Sequence, residues 1–269
     1  MVDTFDRNFQ FHIAHVSLAS RADVMLVAPA SANIIAKMAY GIGDDMLSTT
    51  ALAMTCPVIV SPAMNVNMFH NPVVQDNLGR LAGYGKIIIP PENGYLACGT
   101  TGDGKMPSED VLYDYIVREI GHEKDLAGKK ILVTAGPTRE PLDPVRFLTN
   151  HSTGKMGYAI ARQAMLRGAE VTLVSGPVEL TPPPFVEVVP VIRAADMFEA
   201  VKERWESQDI IIKAAAVADY TPMQTAEDKI KKKDENMTLS LGRTQDILAW
   251  LGQHKKENQV PVSYTHLTL

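Results

Sequence analysis

Short apolar runs rich in β-branched residues alternate along the chain with longer segments in which apolar positions recur every three or four residues. A strand buried on both faces of a parallel sheet reads as a continuous apolar run, and a helix covering that sheet reads with the three-to-four period. The alternation therefore predicts βαβ units. Strands are predicted at Asp23 to Ala28, Pro57 to Val60, Lys86 to Ile89, Lys130 to Thr134, Glu170 to Val174, Val186 to Val191 and Asp209 to Ala214. Helices are predicted at Ala32 to Tyr40, Asn71 to Gly83, Glu109 to Ile120, Gly157 to Arg167 and Ala194 to Trp205, with Gly168 placed to end the fourth. The polar stretch Gly121-His-Glu-Lys-Asp-Leu-Ala-Gly-Lys stands between two such series and reads as a linker. This gives one domain over 1–120, a linker over 121–128 with the boundary near Asp125, and a second domain over 129–259.

Nearly every predicted strand runs into a cluster of small and turn-forming residues: Ala28-Pro-Ala-Ser-Ala-Asn, Ser61-Pro-Ala-Met-Asn, Thr134-Ala-Gly-Pro-Thr, Ser175-Gly-Pro and Ala214-Ala-Ala-Val-Ala-Asp. Any one of these is an ordinary tight turn. Five in the same position relative to their strands point to ligand sites beyond the carboxyl ends of parallel sheets, where small residues let backbone N–H groups approach a phosphate or a ring. The expected fold class is α/β, with two Rossmann-like three-layer domains built on parallel sheets.

Composition narrows the function. A 269-residue chain that is 46% hydrophobic and 21% charged has enough apolar material for two folded domains. A formal net charge of −5 excludes nucleic acid as the main partner, because phosphate-backbone binding requires a dominating basic surface. Two cysteines, Cys56 and Cys98, make neither a disulfide framework nor a thiolate metal site. No apolar run approaches the roughly 20 residues that cross a bilayer, and the first residues lack the basic and apolar parts of a signal peptide; no membrane contact and a cytoplasmic location are expected. No strand leads into Gly-x-Gly-x-x-Gly followed by an acidic residue, which disfavours a nicotinamide-dependent oxidoreductase. Gly154-Lys155 is not a phosphate-binding P-loop, because Thr149 stands where that motif needs glycine.

In the first half, His15-Val-Ser-Leu-Ala, Ala28-Pro-Ala-Ser-Ala-Asn, Gly43-Asp-Asp-Met-Leu-Ser-Thr, Pro62-Ala-Met-Asn and Ala97-Cys-Gly occur in fixed order. Together they resemble the homo-oligomeric flavin-containing cysteine decarboxylases, from about Phe11 to Pro107. The resemblance implies a flavodoxin-like domain that binds FMN and decarboxylates an acylated cysteine. Loss of CO2 from such a substrate needs an electron sink, which that family obtains by flavin oxidation of the thiol side to a thioaldehyde. It further implies His15 as the active-site base, Asn65 as the clamp on the departing carboxylate, Cys98 as the proton donor in the final reduction, Ser31 and Asn33 as flavin contacts, and Asn67 as a substrate contact. Spacing alone does not separate His15 from His12, and Cys56 beside a strand reads as a small buried hydrophobe.

In the second half, the run from Ile131-Leu-Val-Thr-Ala-Gly-Pro-Thr through Asn150-His-Ser-Thr-Gly-Lys-Met-Gly-Tyr-Ala, then Ala214-Ala-Ala-Val-Ala-Asp-Tyr and Lys229-Ile-Lys-Lys, is similar to bacterial phosphopantothenoylcysteine synthetases. This implies activation of the 4'-phosphopantothenate carboxylate by CTP to an acyl cytidylate and pyrophosphate, followed by displacement of CMP by cysteine. Mg2+ would bridge triphosphate oxygens, and no metal ligand is assigned. It also implies that Asn150 contacts the activated acyl group, Arg146 helps place it, and Lys229 assists turnover. Asp219 would contact CTP, Ala214 and Ala215 would present backbone groups to cytosine, and Gln245, Asp246, Ile247 and Leu248 would lie along the nucleotide. That family usually carries Pro at the position of Gln245 and a smaller residue at that of Lys213. Without the resemblance, Lys229 to Lys233 reads as a solvated charged edge, although alternate residues of an extended segment would place Lys229 and Lys231 on one side.

Both halves together resemble the bifunctional phosphopantothenoylcysteine decarboxylase and phosphopantothenate-cysteine ligase of coenzyme A biosynthesis, expected here as a piece truncated at both ends. In that family trimeric decarboxylase and dimeric ligase contacts make a homo-oligomer. The contrasting expectation is a nucleotide- and flavin-binding fragment without catalysis. Val260-Pro-Val-Ser-Tyr-Thr-His-Leu resembles a translated sequencing adapter, so 260–269 is expected to be a non-native tail. The flavin-phosphate turn of the family is expected before residue 1. The purified chain is accordingly expected to carry little yellow cofactor, which a flavin spectrum after gel filtration checks.

Overall fold

The computed structural model describes residues 14–96, 99, 101–232 and 236–263, which form two units, 1–122 and 123–269. Cys98 and His12 lie outside the described residues.

The first unit runs α1 (Ala14–Arg21), β1 (Met25–Ala30), α2 (Ala32–Tyr40), α3 (Met46–Ala53), β2 (Val58–Pro62), α4 (Val66–Phe69), α5 (Pro72–Gly83), β3 (Ile87–Ile88), β4 (Glu92–Tyr95), β5 (Thr101–Lys105) and α6 (Glu109–Ile120). β1, β2 and β3 form a parallel sheet in that order, with Val27 opposite Val60 and Ile59 opposite Ile87. Alternation along β2 sorts its side chains to two faces. Val58 and Val60 join Ile35 and Met38 of α2 and Leu78 and Leu81 of α5 in one core, while Ile59 joins Leu112 of α6 and Ile89 in another. The sheet is therefore covered on both sides, which is why its strands read as unbroken apolar runs. β4 and β5 make a separate antiparallel hairpin.

The second unit runs β6 (Lys130–Ala135), β7 (Arg139–Pro141), β8 (Phe147–Thr149), α7 (Lys155–Leu166), β9 (Glu170–Ser175), β10 (Glu187–Pro190), α8 (Ala194–Arg204), β11 (Ile210–Lys213), β12 (Tyr220–Pro222), β13 (Leu241–Arg243), α9 (Ile247–His254) and β14 (Val260–Ser263). Its five-stranded parallel sheet has the order β10-β9-β6-β11-β14. The chain moves outward from β6 to β9 and β10, then returns to the other side of β6 for β11 and β14. The strand order thus reverses between β6 and β11, a switch point where the connections leave a crevice at the carboxyl ends. α8 and α9 bury Met197, Phe198, Val201, Ile247 and Leu251 against Leu132, Val174 and Ile211. α7 packs on β6 and β9.

Two boundaries differ from the sequence reading. The stretch taken as a linker is bound to the second unit from Lys124 onward: Lys124 Nζ donates to Leu166 O at 2.7 Å, Leu126 N donates to Arg167 O at 3.1 Å, and Asp125 forms a bidentate pair with Arg167. Its polar side chains cap the end of α7, so their polarity did not mark a free connection. The supposed tail begins as a strand, because Val260, Pro261, Val262 and Ser263 pair in register with Ile210 to Lys213. Pro261 is compatible with that place because β14 is an edge strand.

Local chemistry fixes α3 through Asp45, whose carboxylate accepts from Ser48 N at 2.8 Å while the Ser48 hydroxyl accepts from Asp45 N at 3.2 Å, a capping box. Lys37 Nζ reaches Asp45 at 2.8 Å, and that hydrogen bond, followed by the Ser48 N–H, lowers the Asp45 pKa to about 2. A depressed carboxyl contributes stability above its unfolded pKa and loses it as pH falls through the folded value. The Asp45 contribution is therefore complete above about pH 4 and lost toward pH 2. Asp45→Ala should destabilise the first unit by about 1 kcal/mol at neutral pH, with the difference from wild type shrinking at pH 2, as read by denaturant titration.

Candidate functional site

In the first unit Ser31 and Asn33 follow β1, and Asn65 and Asn67 follow β2. Ser31 is the N-cap of α2, its hydroxyl accepting from Ile34 N at 3.4 Å, and both Ser31 and Asn33 are exposed. Asn65 caps α4 by accepting from Asn67 N at 2.9 Å, and Asn67 is exposed. Asn65 lines a cleft of about 420 Å³ with Pro29, Ala63, Met64, Leu96 and Lys105. That cleft depends on Gly104, with φ +140°, where an added Cβ would lie 2.2 Å from Met64 O. His15 stands on α1, which packs on α3, and its Nδ1 is buried with no hydrogen-bond partner among the described residues; Thr49 Oγ1 on α3 is in the same condition. The apolar lining of this cleft by Pro29, Ala63, Met64 and Leu96, with polar Asn65 among them, is of a kind that a flat polar-edged ring such as FMN fits. Cys98 is not among the described residues.

In the second unit the strand ends at the switch point are joined by hydrogen bonds that continue past the sheet. Ala214 N donates to Thr134 O at 3.2 Å, Ala215 N to Thr134 Oγ1 at 3.2 Å, Ala216 N to Gly136 O at 2.9 Å and Ala218 N to Thr138 Oγ1 at 3.0 Å. The N–H groups of Ala214 and Ala215 are thus engaged, and what these residues can present to a ligand is carbonyl oxygen. Asn150 bridges the same place from beyond β8, its Nδ2 donating to Ala216 O at 3.2 Å and Val217 O at 3.3 Å. With both amide hydrogens so placed, Oδ1 is left as an acceptor.

Arg146 does not stand free beside Asn150. Its Nε and Nη2 donate to Asp143 at 2.9 and 2.5 Å, and Nη2 also donates to Ile230 O at 2.8 Å. The Arg146 guanidinium, with backbone N–H groups of Val145, Ile230 and Arg146, holds the Asp143 carboxyl well below the usual carboxylate range. Lys229 is exposed, next to Ile230. Asp219 is exposed, and its carbonyl accepts from Thr244 N at 3.0 Å. A larger groove of about 660 Å³ adjoins Asn150, lined by Arg139, Phe147, Ser152, Lys155 and Val178 among others.

The strip from Gln245 to Leu248 is altered by the structure. Ile247 is 1% exposed in the core under β11, so its side chain does not reach a surface ligand. Asp246 caps α9, accepting from Leu248 N at 2.8 Å and Ala249 N at 3.1 Å, with Lys213 Nζ at 3.8 Å. The Ala249 N–H foremost, and the Lys213 charge, lower its pKa. Gln245 remains exposed.

Residues 126–268 match the profile of the DNA/pantothenate metabolism flavoprotein C-terminal domain, and residues 1–121 match the Flavoprotein profile. The chain belongs to the DNA/pantothenate metabolism flavoprotein family. Within it, the chain is 50% identical over 258 residues to the coenzyme A biosynthesis bifunctional protein CoaBC of Bacillus subtilis, covering 95% of this chain and 64% of that protein. It is 46% identical over 269 residues to a cysteine/cysteine sulfinic acid decarboxylase from an unknown prokaryotic organism, covering 98% of this chain and 75% of that one. A solved C-terminal domain of a CoaBC protein is 51% identical, covering 51% of this chain and 63% of that chain, with a TM-score of 0.45.

Family membership agrees with the α/β architecture and places flavoprotein and pantothenate metabolism in the plain description of the chain. Among the described residues, no helix is long and apolar enough to cross a membrane, and no three His, Cys, Asp or Glu side chains converge on a metal position.

Sequence reasoning missed Asp143, and it marked Thr138 only as the end of the Thr134-Ala-Gly-Pro-Thr turn. Both sit among turn and small residues, where Asp and Thr read as ordinary loop chemistry, and only their buried positions, 3% and 0% exposed, distinguish them. Gly176 was marked only as part of the Ser175-Gly-Pro turn, and an added Cβ there would lie 1.9 Å from Pro137 O. Gly176→Ala should part the turns after β6 and β9 and cost about 1–3 kcal/mol, measured as a lowered thermal midpoint and a lowered denaturation midpoint with unchanged slope.

Proposed function

We propose that this chain carries residues for two consecutive steps of coenzyme A biosynthesis. The second unit would serve CTP-dependent ligation of 4'-phosphopantothenate with cysteine, and the first unit FMN-dependent decarboxylation of the resulting phosphopantothenoylcysteine to 4'-phosphopantetheine. The observation that carries the ligase reading is the meeting of Asn150 with the Ala214-to-Ala218 turn at the sheet switch point, with Ile230, next to Lys229, tied to Arg146 four residues before Asn150.

In this reading, the carbonyl oxygens of the Ala214 and Ala215 turn accept from the cytosine amine, and Asp219 and Gln245 face the sugar side of CTP. Arg146 retains Nη1 for the pantothenate carboxylate or its acyl phosphate oxygens, so it steadies charge without surrendering its bonds to Asp143. Asn150 offers Oδ1 to a substrate hydroxyl or to the amine of incoming cysteine, orienting the nucleophile; donation to the acyl oxygen would require it to leave the two carbonyls it now holds. Lys229 supplies a mobile positive charge to phosphoryl oxygens as CMP departs. Mg2+ enters as a companion of the CTP oxygens, and no step here depends on it.

For the decarboxylase, Ser31 and Asn33 would hold the flavin edge, and FMN when bound supplies the two-electron chemistry that makes loss of CO2 accessible. His15 takes a proton from the substrate, Asn65 hydrogen-bonds the carboxylate before it leaves, Asn67 contacts the remainder of the substrate, and Cys98 returns a proton at the end. What supports this role is that His15 Nδ1 is buried with no hydrogen-bond partner among the described residues.

CTP-dependent release of pyrophosphate, stimulated by 4'-phosphopantothenate, is the test of the ligase reading. Lys229→Gln is expected to accumulate acyl cytidylate and to slow its consumption by cysteine roughly 100-fold, followed by quenched-flow chromatography. Pyrophosphate release independent of 4'-phosphopantothenate, or unchanged turnover in Lys229→Gln, would remove these assignments.

A further inference from the structure

The turn between β7 and β8 contains a carboxylate whose bonds exceed what the turn needs. Asp143 is 3% exposed. Its Oδ1 accepts from Val145 N at 2.9 Å and Arg146 N at 2.8 Å, which satisfies the turn itself. Its Oδ2 accepts from Arg146 Nε and Nη2 and, at 3.1 Å, from Ile230 N, a residue 87 positions away in sequence. Arg146 Nη2 then donates to the carbonyl of the same Ile230 at 2.8 Å. Both peptide groups of Ile230 are consequently gripped by one ion pair, much as a neighbouring strand would grip them. The approach to Ile230 is fixed on the same side: Ala226 N donates to Leu142 O at 3.0 Å, and Thr225 Oγ1 donates to Pro141 O at 3.2 Å.

We infer that Asp143, acting with Arg146 through the Ile230 peptide, is a positioning residue that fixes where Lys229 stands relative to the switch-point site. The inference rests on the proposed role of Lys229 in turnover. A lysine on a segment without helix or ladder bonds would sample many positions, and orientation of a charge near the reacting phosphoryl group is what such a residue contributes. Tethering the adjacent peptide at both its N–H and C=O confines the backbone while leaving the Lys229 stem free to turn. Part of the functional effect of Arg146 then arises through this tether, in addition to any contact of its Nη1 with substrate.

The test uses the full chain with Asp143→Asn, Arg146→Gln and Lys229→Gln. Hydrogen exchange of a peptide spanning 226–232 should accelerate roughly 10- to 100-fold in Asp143→Asn, with strands β6 and β9 protected as in wild type. Arg146→Gln should show the same local effect, and because its side chain is 43% exposed it carries the test if Asp143→Asn also loosens the sheet. In turnover, Asp143→Asn should lower kcat about tenfold or more with the KM for CTP changed less than about threefold, and should add less than about twofold when combined with Lys229→Gln. Unchanged exchange at 226–232 in both variants, an unchanged kcat, or a full multiplicative loss on the Lys229→Gln background would overturn the inference. Normal turnover in Lys229→Gln alone would instead overturn the role of Lys229, and with it the catalytic meaning of the tether, while the exchange result reports whether the tether exists.

Discussion

The second unit is organised by a hydrogen-bonded seam that does not stop where β6 and β11 stop. Beyond Thr134 and Lys213 the two chains keep exchanging bonds through Ala214, Ala216, Thr138 and Ala218, with Pro137 bridged to Ala216. Isolated loops in this position would leave unsatisfied peptide groups beside the core, each costing about 1–3 kcal/mol if buried. The seam satisfies them with one another and with two threonine hydroxyls, and so makes a rigid floor out of small residues. Asn150 from one direction and Thr244, whose hydroxyl donates to Ala218 O at 2.7 Å, from another are fastened to that floor. Small side chains are needed because Gly176 already approaches Pro137 O too closely to admit a methyl group.

This explains what could be read from the chain beforehand. The central strands and covering helices were legible because each buries a full apolar face: Ile131, Leu132, Val133 and Leu173 are all at most 2% exposed. Five small-residue turns pointed to the strand ends for the same reason, since close approach of backbones selects for Gly, Ala and Ser. The hairpins β7–β8, β12–β13 and β4–β5 were not legible. Each contributes only three to five residues per strand, and their exposed and buried positions do not repeat for long enough to establish a period. Helix α1 failed for a related reason, with a short apolar stripe interrupted by Ser17 and ending in Ser20 and Arg21.

Charged residues were the least legible class, since their meaning depends on partners far away in sequence. Asp125 looked like linker polarity, yet it pairs with Arg167. Asp143 looked like the polar tip of a turn, yet it reaches residue 230. Glu140 lies inside a three-residue strand and is 2% exposed because it accepts from Ala194 N at 2.9 Å at the start of α8. A buried carboxylate is tolerable there because the helix N-terminus presents both a donor and a favourable dipole. Pattern cannot reveal such pairings, because the residue that justifies each charge is 42 to 87 positions away.

Asp246 shows how far a structural demand and a binding demand can share one side chain. Its Oδ1 takes the N–H groups of Leu248 and Ala249 and is the atom nearest Lys213 Nζ. The cap therefore occupies one oxygen, and the other can still accept from a ligand hydroxyl. Lys213 is 21% exposed on its side chain and sits at the last residue of β11. A smaller residue there would leave Asp246 with only the helix to neutralise it. The lysine instead brings a positive charge to the edge of the turn at Ala214. Ile247 has no such dual use, since withdrawing it from the core to meet a ligand would open a cavity beneath β11. Within this strip, then, Gln245 is exposed, one oxygen of Asp246 stays outside the cap, and Lys213 stands beside it as the neutralising charge.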